Sequence, residues 1–154
     1  MKLKLIIIAI FILSAGFAYS QEKNESYVEK EQLLESVGIL SSSNLYLTYL
    51  SIQLIYNTVS DTSQIDNLKG ILTPMKNTLV MINEHIGKLS SIKKLSRQDV
   101  LVVKGIARAC ELLLEDSEML DIYMNDMTDK SKSNFLEKHR ETGQYLKELF
   151  KNEL

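Results

Sequence analysis

The chain has 154 residues, with 18 basic and 20 acidic side chains, one cysteine, one proline and no tryptophan. A charge balance on the acidic side of neutral argues against a nucleic-acid binder, which needs a basic face. A single cysteine rules out an internal disulfide, and one proline with six glycines is poor turn material for an all-β fold.

The first twenty residues, MKLKLIIIAIFILSAGFAYS, place Lys2 and Lys4 ahead of an apolar run from Leu5. The run then thins toward small residues, with Ala18 and Ser20 at the −3 and −1 positions of a cut before Gln21. This predicts a cleaved secretory signal peptide over residues 1–20. The apolar run is short against the roughly 20 residues of a membrane span. The expected domain is therefore residues 21–154, working in the periplasm or outside the cell. Removing Lys2 and Lys4 leaves 16 basic against 20 acidic residues, a formal charge of −4. That length suits one domain with one core.

A first helix is expected from about Ser26 to about Val59. Within it, the 25 residues from Ser36 to Ser60 carry no charge, and eleven of them are Ser, Thr, Asn or Gln. Stepping 100° per residue puts Leu40, Leu47, Leu50 and Leu54 on one side and Leu45, Tyr49, Ile52 and Tyr56 nearly opposite. So much Ser, Thr, Asn and Gln makes insertion as a lipid span marginal. The helical surroundings argue against a strand, despite the β-formers in LYLTYLSIQLIY. A helix apolar on nearly all sides buries one face in its own bundle and leaves a second needing cover. That cover is a protein partner, a second copy, an apolar ligand, the chain's own N-terminal tail or an off-centre packing of the helix itself. Tyr46, Tyr49, Leu50, Ile52 and Tyr56 are the candidate contact residues, because tyrosine offers apolar area with a polar tip. Helical phase alone does not decide which of the tyrosines face outward.

The next stretch, SDTSQ, is a turn, with Ser63 and Asp66 spaced as a capping box. A second helix follows on a heptad seam of Ile65, Leu68, Leu72, Met75, Leu79, Ile82, Ile86 and Leu89. Pro74 falls inside it and would collide with the carbonyl of Gly70, four residues back. The unbroken heptad phase predicts a continuous helix kinked at Gly70–Pro74. Ser96 and Asp99 form another capping-box pair, opening a third helix through Val103, Ile106, Cys110, Leu113, Ser117, Leu120, Met124 and Met127. A fourth helix carries Phe135, Leu136, His139, Thr142, Leu146, Leu149 and Phe150. The expected fold is all-α, a single up-down-up-down four-helix bundle following the signal peptide.

Chemistry-bearing motifs are scarce. His85 and His139 are the two histidines, and neither has a Glu three residues before it, as a di-iron bundle requires. C-x-x-C-H, H-E-x-x-H and G-x-S-x-G are absent. Met75, Met81, Met124 and Met127 are core fillers before they are haem ligands, and Cys110 falls in an apolar seam where a thiol is inert. Glu111, Glu115, Asp116, Glu118, Asp121, Asp126 and Asp129 form an acidic run with no Lys or Arg among them. Lys88, Lys93, Lys94 and Arg97 crowd the second connection, and Lys147 and Lys151 would share that end. Both clusters read as solvated surface, or more sharply as ends that dock a charged partner, the acidic one also as a weak divalent-cation binder without EF-hand spacing. The expectation is an exported non-enzymatic interaction protein without cofactor or metal, binding a protein partner or its own copy and having no stable membrane span. The alternative is a carrier or sensor of a small apolar ligand, a lipid or haem, held between helices 1 and 2.

Overall fold

The structure, a computed structural model, describes the backbone of residues 27–60, 62–90 and 95–151 and their side chains, except those of residues 27–37 and Ser90. The predicted signal peptide, Lys93 and Lys94 lie outside the described residues. The order is α1 (Tyr27–Thr58), a 3-10 turn (Thr62–Gln64), α2 (Ile65–Ser90), α3 (Arg97–Asp126) and α4 (Asp129–Lys151), with no strand among the described residues. The chain divides into two compact units, Met1–Leu33 and Leu34–Leu154. In the second unit four helices pack against one another.

Its core draws on all four. Leu45, Ile52 and Ile55 come from α1, with Val59 just beyond it, and Leu68, Leu72, Leu79 and Ile86 from α2. Val103, Ile106, Cys110, Leu113, Leu120 and Met124 come from α3, and Phe135 and Leu146 from α4. The heptad seam of α2 thus faces inward. Helix α3 runs close to both α2 and α4. Two neighbours demand two buried stripes, so Ala109, Leu112 and Asp116 are buried beside the expected seam. The backbone of α1 stands further off, and bulky rings fill the gap. Tyr56 meets Phe135 with ring centres 4.9 Å apart and Tyr123 at 6.0 Å.

Two expected seam residues face outward. Met127 is 39% exposed because it is the left-handed C-cap of α3, at φ 53°, with its N–H donating to the Tyr123 carbonyl at 2.8 Å. Leu136 is 41% exposed, since its neighbour Phe135 takes the inward position. The capping box of α3 is complete. The Asp99 N–H donates to Ser96 Oγ at 3.1 Å, and the Ser96 N–H donates to Asp99 Oδ2 at 2.9 Å. Helix α2 continues unbroken through Pro74. At the start of α4 the Ser131 N–H donates to Thr128 Oγ1 at 3.2 Å, which satisfies one of the open amides of that end. Asp126 accepts from Ser131 Oγ and from the Thr128 N–H, and these bonds hold its carboxyl below the usual range.

Candidate functional site

Four polar residues of α1 are turned back on the helix itself. Asn44 Nδ2, Thr48 Oγ1, Ser51 Oγ and Thr58 Oγ1 donate to the carbonyls of Leu40, Asn44, Leu47 and Leu54, four residues earlier, at 2.8–2.9 Å. Such bonds consume the donors locally, so these side chains add little polarity to the surface. The two sides read from helical phase separate cleanly. Leu45 and Ile52 are buried, with Tyr49 and Tyr56 half-buried beside them. Leu40, Leu47, Leu50 and Leu54 are 55%, 51%, 44% and 63% exposed, and Ile39 and Tyr46 continue the open side. The five candidate contact residues therefore divide. Tyr46 and Leu50 reach solvent; Ile52 is fully enclosed, and Tyr49 and Tyr56 are packed against α3 and α4.

The buried side of α1 meets a polar cluster that sequence reasoning only half anticipated. His139 on α4 is 5% exposed. Its Nε2 lies 2.7 Å from Gln53 Oε1 on α1, and its Nδ1 lies 2.8 Å from Asp116 Oδ2 on α3. Gln53 Nε2 donates to Asn57 Oδ1 at 3.1 Å, which turns the amide oxygen toward the imidazole. With the amide set that way Nε2–H donates to Gln53 Oε1, while Nδ1 faces the Asp116 carboxyl. The imidazole is stacked between Tyr49, at 4.3 Å and 9°, and Phe135, at 5.3 Å and 26°. Asp116 Oδ1 is buried without a hydrogen-bond partner. Burial accordingly pushes the Asp116 carboxyl above its usual range, against the opposing pull of the bond and charge of His139. Burial also raises the Tyr49 hydroxyl, helped by the Asp116 charge.

This one imidazole ties three helices together, and both of its nitrogens are occupied. Asp116 corrects the reading of the acidic run as solvated surface. It stands in step with Ala109, Leu112 and Leu120 on an apolar stripe of α3, and that spacing is the signal that would have found it. Gln53 gave no such signal among the other uncharged residues of α1. Glu111, Glu115 and Asp121 of the run are balanced by cations on neighbouring turns and helices. Lys138 bonds Glu115 and Glu141, each at 2.7 Å, Arg108 pairs with Glu111 at 3.0 Å, and Lys76 lies 3.6 Å from Asp121. The bonds to Glu115 and Glu141 raise the Lys138 ammonium, and the Lys138 bond lowers Glu141.

Cys110 is buried, and desolvation pushes its thiol up to about 12, which leaves almost no thiolate near neutral pH. His85 is exposed, and its Nδ1 faces the Met81 carbonyl at 2.8 Å. Among the described residues no group of His, Cys, Asp or Glu is placed to hold a metal ion, and no helix is long and apolar enough to cross a membrane. Gly70 and Pro74 lie exposed on α2. An open groove lies elsewhere, between α1 and α4, where Tyr46, Tyr49 and Phe150 meet Arg140, Lys147 and Lys151. Its floor includes Gly143, where an added Cβ would run into the Tyr49 hydroxyl and approach Tyr49 Cζ to 2.8 Å.

Compared with protein-family models, curated proteins and solved structures, the chain has no significant match.

Proposed function

We propose that this is an exported, non-enzymatic interaction protein that works by contact through the outer face of α1. The row Leu40, Leu47, Leu50 and Leu54 carries this reading. It is exposed along some four turns of helix in a segment without a single charge. A helix that only borders solvent puts charged residues on that face, and a contiguous apolar patch marks a surface made for contact. Export is inferred from residues 1–20 read as a cleaved signal peptide, which assigns the mature chain to the periplasm or the exterior.

The four helices are read as an up-down-up-down bundle. Three sets of contacts support this. Tyr46, Gln53 and Tyr56 meet Phe150, His139 and Phe135 in descending order. Lys69 and Lys76 meet Asn125 and Asp121. Gly105 and Asp116 meet Tyr145 and His139. A role without covalent chemistry is supported by the enclosure of His139 and the deactivated thiol of Cys110.

The test uses the chain freed of residues 1–20, followed by light scattering and by an apolar dye that brightens on exposed hydrophobic surface. The wild-type chain is expected to self-associate or to brighten the dye. Leu50→Glu/Leu54→Glu is expected to lose that response while keeping its helical circular dichroism and melting temperature. A strictly monomeric wild-type chain that leaves the dye dark would mean the face is already covered, and the reading fails.

A further inference from the structure

The outer face of α1 does not end in neutral surface. Along one margin it passes through Tyr46, itself 48% exposed, into the groove shared with α4. There Arg140, Lys147 and Lys151 line the far wall. On a helical wheel these three fall within about 40° of one another, so they form one row along α4. None of them makes an ion pair with a described carboxylate. Glu137, Glu141 and Glu148 lie further round α4, on the side turned away from α1 by the same phase, and Glu141 is engaged by Lys138. Between the leucines and the cations stand three aromatic rings. Tyr46 and Tyr49 stack at 6.5 Å, and Phe150 meets Tyr46 edge-on at 6.1 Å.

Leucines in a row, tyrosines at their margin and a line of cations beyond, without an ion-pair partner among the described residues, form a graded surface. A bilayer containing anionic lipid presents the complementary gradient, from acyl chain through interface to negatively charged headgroup. Amphipathic helices that lie in the interface combine these same elements, an apolar face and basic residues flanking it, and tyrosine favours the headgroup level. The Ser, Thr and Asn side chains bonded back to their own helix would cost little on entering that layer. A protein partner would need the leucines alone; the aligned cations are what single out an anionic surface. The mature chain is net negative, so those cations act as a local patch against an opposing background.

We infer that the outer face of α1 and the Arg140–Lys147–Lys151 row of α4 together dock the protein peripherally on an anionic lipid surface, without spanning it. This rests on the reading of the α1 face as a contact surface and names what it contacts.

The experiment is flotation of the mature chain with vesicles of phosphatidylcholine alone and of phosphatidylcholine containing one-third phosphatidylglycerol, with the apolar dye assay run in parallel. Flotation is expected with the anionic vesicles, weakening as salt is raised, and not with the neutral ones. Arg140→Glu/Lys147→Glu/Lys151→Glu is expected to lower partitioning by on the order of 100-fold or more, from about fivefold per surface charge near anionic lipid, while leaving the dye response intact. Leu50→Glu/Leu54→Glu is expected to lose both. Equal flotation on neutral vesicles, or unchanged flotation of the charge-reversed variant, would overturn the inference. A chain that brightens the dye or self-associates but never floats defeats the lipid surface and leaves the contact reading standing. Loss of both signals in the wild-type chain removes the two together.

Discussion

On α1, Leu45, Ile52 and Ile55 retain 4% or less of their surface, whereas Leu40, Leu47, Leu50 and Leu54 retain between 44% and 63%. Both sets are apolar, both lie in the charge-free stretch of one helix, and hydropathy does not tell them apart. What separates them is the neighbour each side finds. The buried side carries the larger rings, Tyr49 and Tyr56, which bridge to α3 and α4 across a wide helix–helix gap, and Gln53, which reaches a partner on α4. The open side is mostly leucine and finds no helix among the described residues. An apolar face is therefore not itself evidence of core; the ring-bearing, hydrogen-bonded side is the one the fold uses.

The sharpest way to break this contrast is at the imidazole that anchors the buried side. His139→Ala leaves Asp116 and Gln53 without their partner in an enclosed site, and losing one member of a buried pair costs about 3–5 kcal/mol. Chemical denaturation with far-ultraviolet dichroism would read it, and a change under 1 kcal/mol would mean the cluster holds nothing together. Ile52→Ala against Leu54→Ala tests the two faces directly. The first removes a fully enclosed side chain and is expected to cost about 2–5 kcal/mol; the second is expected to stay within about 0.5 kcal/mol. Equal losses would erase the distinction between the sides.

Gly143→Ala probes how closely α1 sits on α4. Its new methyl would overlap the Tyr49 ring, and overpacking of this kind costs about 1–3 kcal/mol. Tyr49→Leu in the same chain should recover part of the loss, and a failure to do so would place the strain elsewhere.

The pH dependence is a finer probe. The folded chain holds the Asp116 proton to higher pH than the unfolded chain does, because burial raises this carboxyl. Its favourable contribution is complete below the ordinary value of 3.8 and is lost as pH rises through the raised folded value. Wild-type stability measured against Asp116→Asn is expected to decline across that interval, and a flat difference would show that the carboxyl is not perturbed.

Periodicity carried most of the fold. The seams through Leu68, Leu72, Leu79 and Ile86 on α2 and through Val103, Ile106, Cys110 and Leu113 on α3 were legible, because a repeating apolar step is a property of the local chain. So was the capping box at Ser96 and Asp99, whose partners are three residues apart. The two-sided character of α1 was legible as phase, but which side faced inward was not, since that depends on where α3 and α4 lie. The site was less legible still. His139 was visible as a seam residue, but its partners come 23 and 86 residues away in the chain.

The sequence by itself determined that this chain makes long helices with apolar stripes, one of them with a long charge-free stretch, because hydrophobic spacing and capping act within a few turns. Only the tertiary structure decided that Asp116 leaves the acidic surface to pair with His139, that Ile52 is enclosed while Leu50 is open, and that the cations of α4 share a groove with Tyr46 and Tyr49 of α1. Those outcomes depend on which helix lies beside which, and burial, pairing and charge neighbourhood are properties of that contact rather than of any local run of residues.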